Sequence, residues 1–271
     1  MSKTPLLSLV ISTYNWPQAL RLCLDSVAAQ TVMPDEIIIA DDGSREDTRD
    51  LISLYQQKLS LPLVHVWHED HGFRLSHIRN KAIAQATGEY IIQIDGDIIL
   101  DKNFIKDHIS IRQPGHLVVG SRAMLSEDYS KKLLEDGELP DLRVLRQHTR
   151  NTLNSTRLPW IAPLFAKRYK TRGRYRHYTR GCNMAFWKEA VVAVNGYNED
   201  ISGWGTEDSE LVVRLLNAGQ KKLFLKFAGL QYHIWHKVAS RDRKEANELL
   251  LEETIRQSLK ICTNGINKYL S

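Results

Sequence analysis

Three short apolar runs each break off into a polar cluster, and that repeat constrains the fold of this chain more than any other feature. Leu6 to Ser12 (LLSLVIS) runs into Thr13-Tyr14-Asn15, and Glu36 to Ala40 (EIIIA) into Asp41-Asp42-Gly43-Ser44. Glu89 to Ile94 ends at Asp95-Gly96-Asp97. Runs this short, continuous and β-branched suit strands buried on both faces. A further run, Leu63 to Trp67, reads as another strand. Between the runs lie helical patterns. One opens at Pro17 and carries Leu20, Leu22, Leu24 and Val27. A second carries Thr48, Leu51, Ile52 and Tyr55, and a third spans Ser76 to Ala86 with Ser76 as its expected cap. Strands alternating with helices predict an α/β fold, a Rossmann-like, mainly parallel sheet with helices on both faces. Ligands of such sheets bind beyond the carboxyl ends of the strands, where all three polar clusters fall.

The chain has 271 residues, room for one large domain with an appendage. We expect a domain over 1–240, with a nucleotide-binding half in 1–100 and an acceptor and catalytic half in 179–240. Residues 121–178 read as a variable insertion over the site, interrupted by Pro140, Pro159 and Pro163. Regularity resumes with a strand at Gly181 to Phe186, a helix from Trp187 to Val194 and a turn at Asn195-Gly196-Tyr197-Asn198. A helix from Thr206 to Ala218 follows, ended by Gly219. Residues 241–271 form a C-terminal helical extension, an amphipathic helix from Arg241 to Cys262 with Leu249, Leu250, Ile255 and Leu259 on its buried side.

The residues with chemistry concentrate at three places. In Gly203-Trp204-Gly205-Thr206-Glu207-Asp208, Trp204 offers an aromatic face to a pyranose and Gly205 lets backbone approach a ligand closely. Asp208, near the start of a helix whose dipole favours its charge, can accept a hydroxyl proton. Asp95 and Asp97 are two hard oxygen ligands at a strand end, suited to Mn²⁺ or Mg²⁺ bridging a diphosphate; if the strand continues through both, they share a face. His233 and His236 stand three apart and could add imidazole ligands, with His236 preferred; a neutral imidazole favours Mn²⁺ over Mg²⁺. Asp41 and Asp42 could accept hydrogen bonds from uracil and ribose, and Arg79 and Asn80 could reach the base or the diphosphate. His71-Gly72-Phe73-Arg74 reads as a loop beside the nucleotide.

Charge and cysteines narrow the classes. The formal charge of +5 favours anionic partners without indicating nucleic acid, and none is expected. Lys167 to Arg180 holds seven Lys or Arg and no acid, interleaved with Tyr169, Tyr175 and Tyr178, and could meet membrane phosphates or an anionic acceptor. Cys23, Cys182 and Cys262 form no CxxC pair, which argues against a zinc knuckle or disulfide framework. No signal peptide is visible, and no apolar run approaches the roughly 18 residues of a membrane span. A cytoplasmic location follows as the expectation, with peripheral contact at the inner membrane face.

These motifs resemble family 2 glycosyltransferases of the GT-A fold. The match runs through Val10-Ile11-Ser12-Thr13-Tyr14-Asn15, Ile39-Ala40-Asp41-Asp42-Gly43-Ser44, Arg79-Asn80-Lys81-Ala82 and Gly88-Glu89-Tyr90 to Asp95-Gly96-Asp97. Arg180-Gly181-Cys182-Asn183-Met184, Asn195-Gly196-Tyr197-Asn198-Glu199 and Gly203 to Asp208 resemble the C-terminal part of β-1,4-galactosyltransferases and of bacterial chondroitin-type polymerases. The resemblance implies a UDP-sugar donor, a divalent metal, a glycan or lipid-linked glycan acceptor, and inversion at the anomeric carbon. Thr13, with Tyr14 and Asn15 beside it, Asp42 and Arg79 would then contact uridine. Asp97 would be the principal metal ligand, with Asp95 near ribose or metal and His236 a further ligand. Trp204 would touch the sugar, Glu207 the acceptor, and Asp208 would act as base. Thr206 departs from the family, which usually has Gly there. A sugar nucleotidyltransferase would need a Gly-rich basic loop where Thr13 to Pro17 stands. A noncatalytic glycan- or nucleotide-binding domain would not need Asp95, Asp97, Asp208 and His236 together.

Overall fold

A computed structural model describes residues 4–237 and 240–270. The first half runs β1 (Leu7–Thr13), α1 (Pro17–Ala28), β2 (Glu36–Asp41), α2 (Glu46–Lys58), β3 (Leu63–Trp67), α3 (Leu75–Gln85), β4 (Tyr90–Asp95), β5 (Ile98–Leu100), α4 (Phe104–Ile111) and β6 (His116–Gly120). It continues with β7 (Ala123–Met124), α5 (Glu127–Asp136), α6 (Leu142–Gln147), α7 (Ala162–Ala166), β8 (Met184–Trp187), α8 (Lys188–Ala193), α9 (Glu207–Asn217), β9 (Lys221–Leu225), β10 (Gln231–His233) and α10 (Lys244–Arg256). Seven strands form one sheet in the order β3-β2-β1-β4-β8-β6-β9, and β5-β10-β7 form a small second sheet. Within the large sheet β8 alone runs antiparallel to its neighbours. The expected mainly parallel α/β architecture is therefore present.

Burial explains the apolar runs. β1 lies between β2 and β4, and every one of its residues is buried. Successive side chains alternate faces. Leu9, Ile11, Ile37, Ile39 and Ile92 pack toward α1 and α2 on one side, and Val10, Ile38 and Ile91 toward α3 and α9 on the other. Each fully buried side chain of this size contributes about 1.5–3 kcal/mol, so both faces of the strand must be apolar. The segment 121–178 is more ordered than an insertion required. Its first part supplies Ala123, Leu125, Leu133 and Leu145 to a third core with Ile99 and Tyr232 of the small sheet and Ile234 just after it. Its second part covers β9, the edge of the large sheet: Lys222 Nζ donates to the carbonyls of Tyr175, Arg176 and Tyr178 at 2.8, 2.6 and 2.9 Å.

Several local expectations need correction. Ser76 lies inside α3 and donates to the carbonyl of Ile201 rather than capping the helix. The C-terminal helix is shorter than Arg241 to Cys262, and Leu249 and Ile255 are exposed. It is held instead by Asn247 and Thr254, which are buried against α9 and the loop before it. All three cysteines are buried and unpaired. No helix of the described residues is long and apolar enough to cross a membrane.

The helix that matters most for the site is fixed by a buried ion pair. On α9, Arg214 donates to both oxygens of Glu210 (2.8 and 2.7 Å) and to the carbonyls of Val194 and Gly196, and Thr254 of α10 donates to Glu210. Removing one member leaves the other charged and buried. Arg214→Ala or Glu210→Ala is expected to lower unfolding free energy by about 3–5 kcal/mol, read from urea denaturation at pH 7. A loss below about 1 kcal/mol would show that the pair does not anchor α9.

Candidate active site

The parallel register brings the polar clusters together. Thr13 pairs with Asp41 across β1 and β2, and Ser12 with Asp95 across β1 and β4. The chain then turns at Gly96, where a Cβ would lie 3.1 Å from the Ser12 carbonyl oxygen and 3.2 Å from Thr13 Oγ1. Because of that turn Asp95 and Asp97 do not continue one strand, and their carboxylates face different partners. Asp95 turns toward Arg79. Asp97 turns toward the histidines.

Arg79 is the centre of the first group. It projects from α3, is 1% exposed, and reaches four acceptors. Nε donates to Ser12 Oγ (3.2 Å), Nη2 to Asp95 Oδ1 (3.0 Å), and Nη1 to Asp208 Oδ1 (3.0 Å) and Glu207 Oε1 (3.5 Å). Burial opposes its charge, and the surrounding acids outweigh that and hold the proton more firmly. The acids respond unequally. Burial lifts Asp95 to about 6 against the pull of Arg79. Burial and the adjacent Asp208 charge lift Glu207 to about 8.

Asp208 is presented with one oxygen occupied and one free. Its Oδ1 takes Arg79 and lies 3.0 Å from the Tyr197 hydroxyl, which also lies 2.9 Å from Gln93 Oε1 and has one proton to offer the two. Its Oδ2 has no hydrogen-bond partner among the described residues and lies over Gly181, where a Cβ would stand 1.8 Å away. Only glycine leaves that oxygen its place. Tyr197, Gln93 and Gly181 escaped the reading of the sequence as site residues, although Tyr197 and Gly181 sit inside motifs already singled out.

The loop before α9 is held from the C-terminal segment. Thr206 adopts φ +74°, a left-handed conformation costly for a β-branched residue and the natural place for the Gly usual in the family. Its hydroxyl donates to the Asn247 carbonyl (3.1 Å), and the Asn247 amide donates to the carbonyls of Ser202 (3.0 Å) and Gly205 (3.3 Å). The Arg241 guanidinium rests 4.9 Å from the Trp204 ring centroid. Gly203 N–H donates to the Phe73 carbonyl, so the His71 to Arg74 loop does border this site. Gly205 has open space around it.

A second group surrounds Asp97. His233 Nε2 and His236 Nε2 lie 3.3 and 3.2 Å from Asp97 Oδ2, and one ligand atom from each of the three residues falls within 4.8 Å of the others. Asp97 Oδ1 is buried without a hydrogen-bond partner. Burial would raise Asp97, but His233 and His236 outweigh it and hold the carboxyl below its usual range. Burial drops His233 to about 4, which keeps its imidazole neutral. One carboxylate with two converging imidazoles, one of them neutral, fits a divalent ion such as Mn²⁺. Arg122, which follows β6 and which the sequence did not single out, adds positive charge near Asp95, Asp97 and both histidines, with its Nη1 4.0 Å from Cys182 Sγ.

The remaining residues border the cleft or brace it. Asp41 accepts from Ser44 N–H and meets His65, and Asp42 accepts from Arg74 N–H and meets His68, so all four carboxylate oxygens have protein partners. Asn80 is buried, exchanges hydrogen bonds with the Tyr197 backbone and donates to Glu199, which turns it away from any nucleotide. Tyr14 is exposed and donates to Asp70, while Asn15 accepts from Arg45 N–H. Thr13 is buried against Gly96.

Comparison with known proteins places this geometry in context. The model of glycosyl transferase family 2 matches residues 8–191, and that described as the N-terminal domain of galactosyltransferase matches residues 163–237. The chain is 26% identical over 241 residues to the chondroitin synthase of Pasteurella multocida, covering 84% of this chain and 24% of that protein. It is 29% identical over 241 residues to validoxylamine A glucosyltransferase of Streptomyces hygroscopicus subsp. limoneus, covering 79% and 48%. It thus spans a quarter to a half of the length of these relatives. Among solved structures, S. aureus TarS 1-349 in complex with UDP-GlcNAc superposes with a TM-score of 0.67 at 16% identity, covering 97% of this chain and 69% of that one. The mannosyltransferase PcManGT from Pyrobaculum calidifontis, in complex with GDP-Man and Mn²⁺, superposes at 0.62 with 18% identity, covering 94% and 65%. These structures share the fold.

Glu207 gives the site a measurable pH signature. Its carboxyl titrates higher in the folded protein, about 8, than in the unfolded chain, so its contribution to stability is complete below about 4.3 and is lost as pH rises through 8. Glu207→Gln removes that titration. In metal-free urea unfolding between pH 5 and 9, the stability difference is expected to move in the variant's favour as pH rises. A difference independent of pH would show that Glu207 ionises at the same pH folded and unfolded.

Proposed function

The chain belongs to glycosyl transferase family 2, and on that premise we propose that it moves a hexose or N-acetylhexosamine from a UDP-sugar to a glycan acceptor, with inversion and with Asp208 as general base. The observation that carries this reading is the presentation of Asp208. One carboxylate oxygen is fixed by Arg79 and Tyr197, and the other has no hydrogen-bond partner among the described residues and lies over Gly181. The related chondroitin synthase and validoxylamine A glucosyltransferase, and the UDP-GlcNAc held by the similarly folded TarS, support a sugar-transfer reaction. Synthesis of a polysaccharide or other surface glycan is the pathway we propose.

In the proposed displacement Asp208 Oδ2 accepts the proton of an acceptor hydroxyl as that oxygen bonds to the anomeric carbon. The bond from that carbon to the diphosphate oxygen breaks on the opposite face, and UDP leaves with the electron pair. Arg79 and Tyr197 hold Asp208 aimed, and general base catalysis of this kind is worth on the order of 10² to 10⁴ in rate. Glu207, one residue earlier on the same turn of α9, is placed to receive a further acceptor hydroxyl. Trp204 offers its partly exposed face to the donor sugar. Thr13, Tyr14 and Asn15, with Asp41 and Asp42 fixed behind them, form the wall assigned to uridine, and Arg122 faces the place assigned to the diphosphate. Asp97, His233 and His236 would hold Mn²⁺ or Mg²⁺, which when bound neutralises charge on the departing diphosphate; Asp95, paired with Arg79, serves the base rather than the ion.

Two measurements test this. In a UDP-release assay across a panel of UDP-sugars, Asp208→Asn is expected to lose at least about a hundredfold in turnover while its calorimetric affinity for UDP with Mn²⁺ stays within about twofold of wild type. Near-normal turnover would remove Asp208 as base, and absence of UDP binding in the wild type would overturn the donor class. Asp97→Ala and His236→Ala are each expected to weaken Mn²⁺-dependent UDP binding by at least about tenfold. Unchanged affinity in both would refute the trio as the metal site. A nucleotidyltransferase would instead form UDP-sugar from UTP and sugar phosphate, and a binding module would release no UDP.

A further inference from the structure

We infer that the face formed by residues 153–180 docks this protein onto an anionic lipid bilayer, and that the acceptor reaches Asp208 from that surface. The inference rests on the glycosyltransferase reading for the acceptor only; the docking itself stands on charge and exposure. Charge in this chain is segregated. Residues 142–188 contain twelve Lys and Arg and no Asp or Glu, while the rest of the chain holds 25 Lys and Arg against 32 Asp and Glu, a net −7. Within the basic stretch Lys167, Arg168, Arg172, Arg174, Arg176 and Arg180 are exposed, and none of them pairs with a carboxylate of the described residues. Lys170 differs, tucked 4.1 Å from the Tyr178 ring centroid and within 6 Å of three more rings. Arg174 and Arg180 also rest near Tyr175 and Tyr178, at 4.8 and 5.1 Å from the ring centroids, yet stay exposed, so all six can be reached by phosphates.

Beside the cations stand large apolar side chains with nothing to cover them. Trp160 is 75% exposed, Leu164 68% and Leu153 66%. Single exposed apolar residues are ordinary, but these three lie within twelve residues of one another in the chain, with Pro159 and Pro163 stiffening the backbone between them. Their backbone is tied to the end of β9. Lys226 Nζ donates to the Leu153 carbonyl, Leu158 N–H to the Phe227 carbonyl, and Phe165 packs edge-on against Phe227. The side chains thus project from a fixed platform. Trp and Leu projecting beside Lys, Arg and Tyr match the interfacial layer of a bilayer, where the apolar tips enter the acyl boundary and the cations meet anionic headgroups. A nucleic acid would use the cations and leave the aliphatic tips without a partner, which favours the lipid surface. The basic tract also leads directly to the base, since Gly181, the residue after Arg180, lies against Asp208 Oδ2.

The test is pelleting of the full chain with vesicles of equimolar phosphatidylglycerol and phosphatidylcholine, compared with phosphatidylcholine alone, alongside UDP calorimetry. Wild type is expected to bind the anionic vesicles, to lose binding as salt rises, and to ignore the neutral ones. Neutralising Arg172, Arg174 and Arg176 to Gln together should weaken partitioning roughly a hundredfold, at about fivefold per cation. Trp160→Ser combined with Leu164→Ser should weaken it at least about tenfold, with UDP affinity unchanged in both variants. Equal binding to neutral vesicles, no binding to anionic ones, or wild-type binding by both variants would overturn the inference. So would a salt-sensitive gel shift with duplex RNA in the absence of vesicle binding. Anionic-vesicle binding by a protein that ignores UDP would support the docking and remove only the catalytic reading.

Discussion

Everything at this site is arranged around one buried guanidinium. Arg79 projects from α3 and reaches the end of β1 at Ser12, the end of β4 at Asp95 and the start of α9 at Glu207 and Asp208. Those elements lie far apart in sequence, and apolar contacts, which have no direction, would not fix how their polar ends meet. A buried cation can, because leaving it short of acceptors costs several kcal/mol. The same requirement explains why three carboxyl groups share so small a space. Burial lifts Glu207 and Asp95, their acidic neighbours add to it, and the cation pulls against both. The site therefore keeps Asp208 paired and oriented at the expense of strained neighbours, an arrangement typical of catalytic carboxyl groups.

The C-terminal segment is part of that arrangement rather than an appendage. Asn247 bonds the carbonyls of the Gly-Trp-Gly loop and accepts from Thr206, whose left-handed backbone would relax if unsupported. Farther along, the Asn195 side chain donates to the Cys262 carbonyl and Ile266 N–H donates back to Asn195, which fixes the turn that carries Tyr197. A β-branched residue in a left-handed backbone that glycine adopts more easily is thus tolerated because the C-terminal segment holds it.

How much of this could be read from the chain depends on what kind of constraint each residue answers to. Strands β1, β2 and β4 were legible because burial on both faces demands unbroken apolar runs, and their carboxyl ends were legible because polar residues follow at once. The trio proposed to hold the metal was half legible: the spacing of His233 and His236 was visible, but their convergence on Asp97 comes from β10 pairing with β5 just after the Gly96 turn. Asp95 looked equivalent to Asp97, and that turn gives them different partners. Arg79 read as a contact for the nucleotide, and its hold on Ser12, Asp95, Glu207 and Asp208 was not legible because nothing local marks a charge as buried. The C-terminal helix misled for the opposite reason. Its leucines suggested an apolar stripe, while its contact face is the polar pair Asn247 and Thr254, two turns apart.

The two acidic elements, similar in sequence, divide the proposed chemistry by their partners. A carboxylate beside a permanent cation, such as Asp95, has its charge already balanced and gains little from an incoming ion. A carboxylate beside two imidazoles, one held neutral by burial, offers soft and hard donors together. The same logic fixes which oxygen of Asp208 acts. An oxygen already bonded to Arg79 would be a weak base, so in the proposed chemistry the oxygen over Gly181 is the competent one, and the missing side chain at Gly181 is what leaves that oxygen its place.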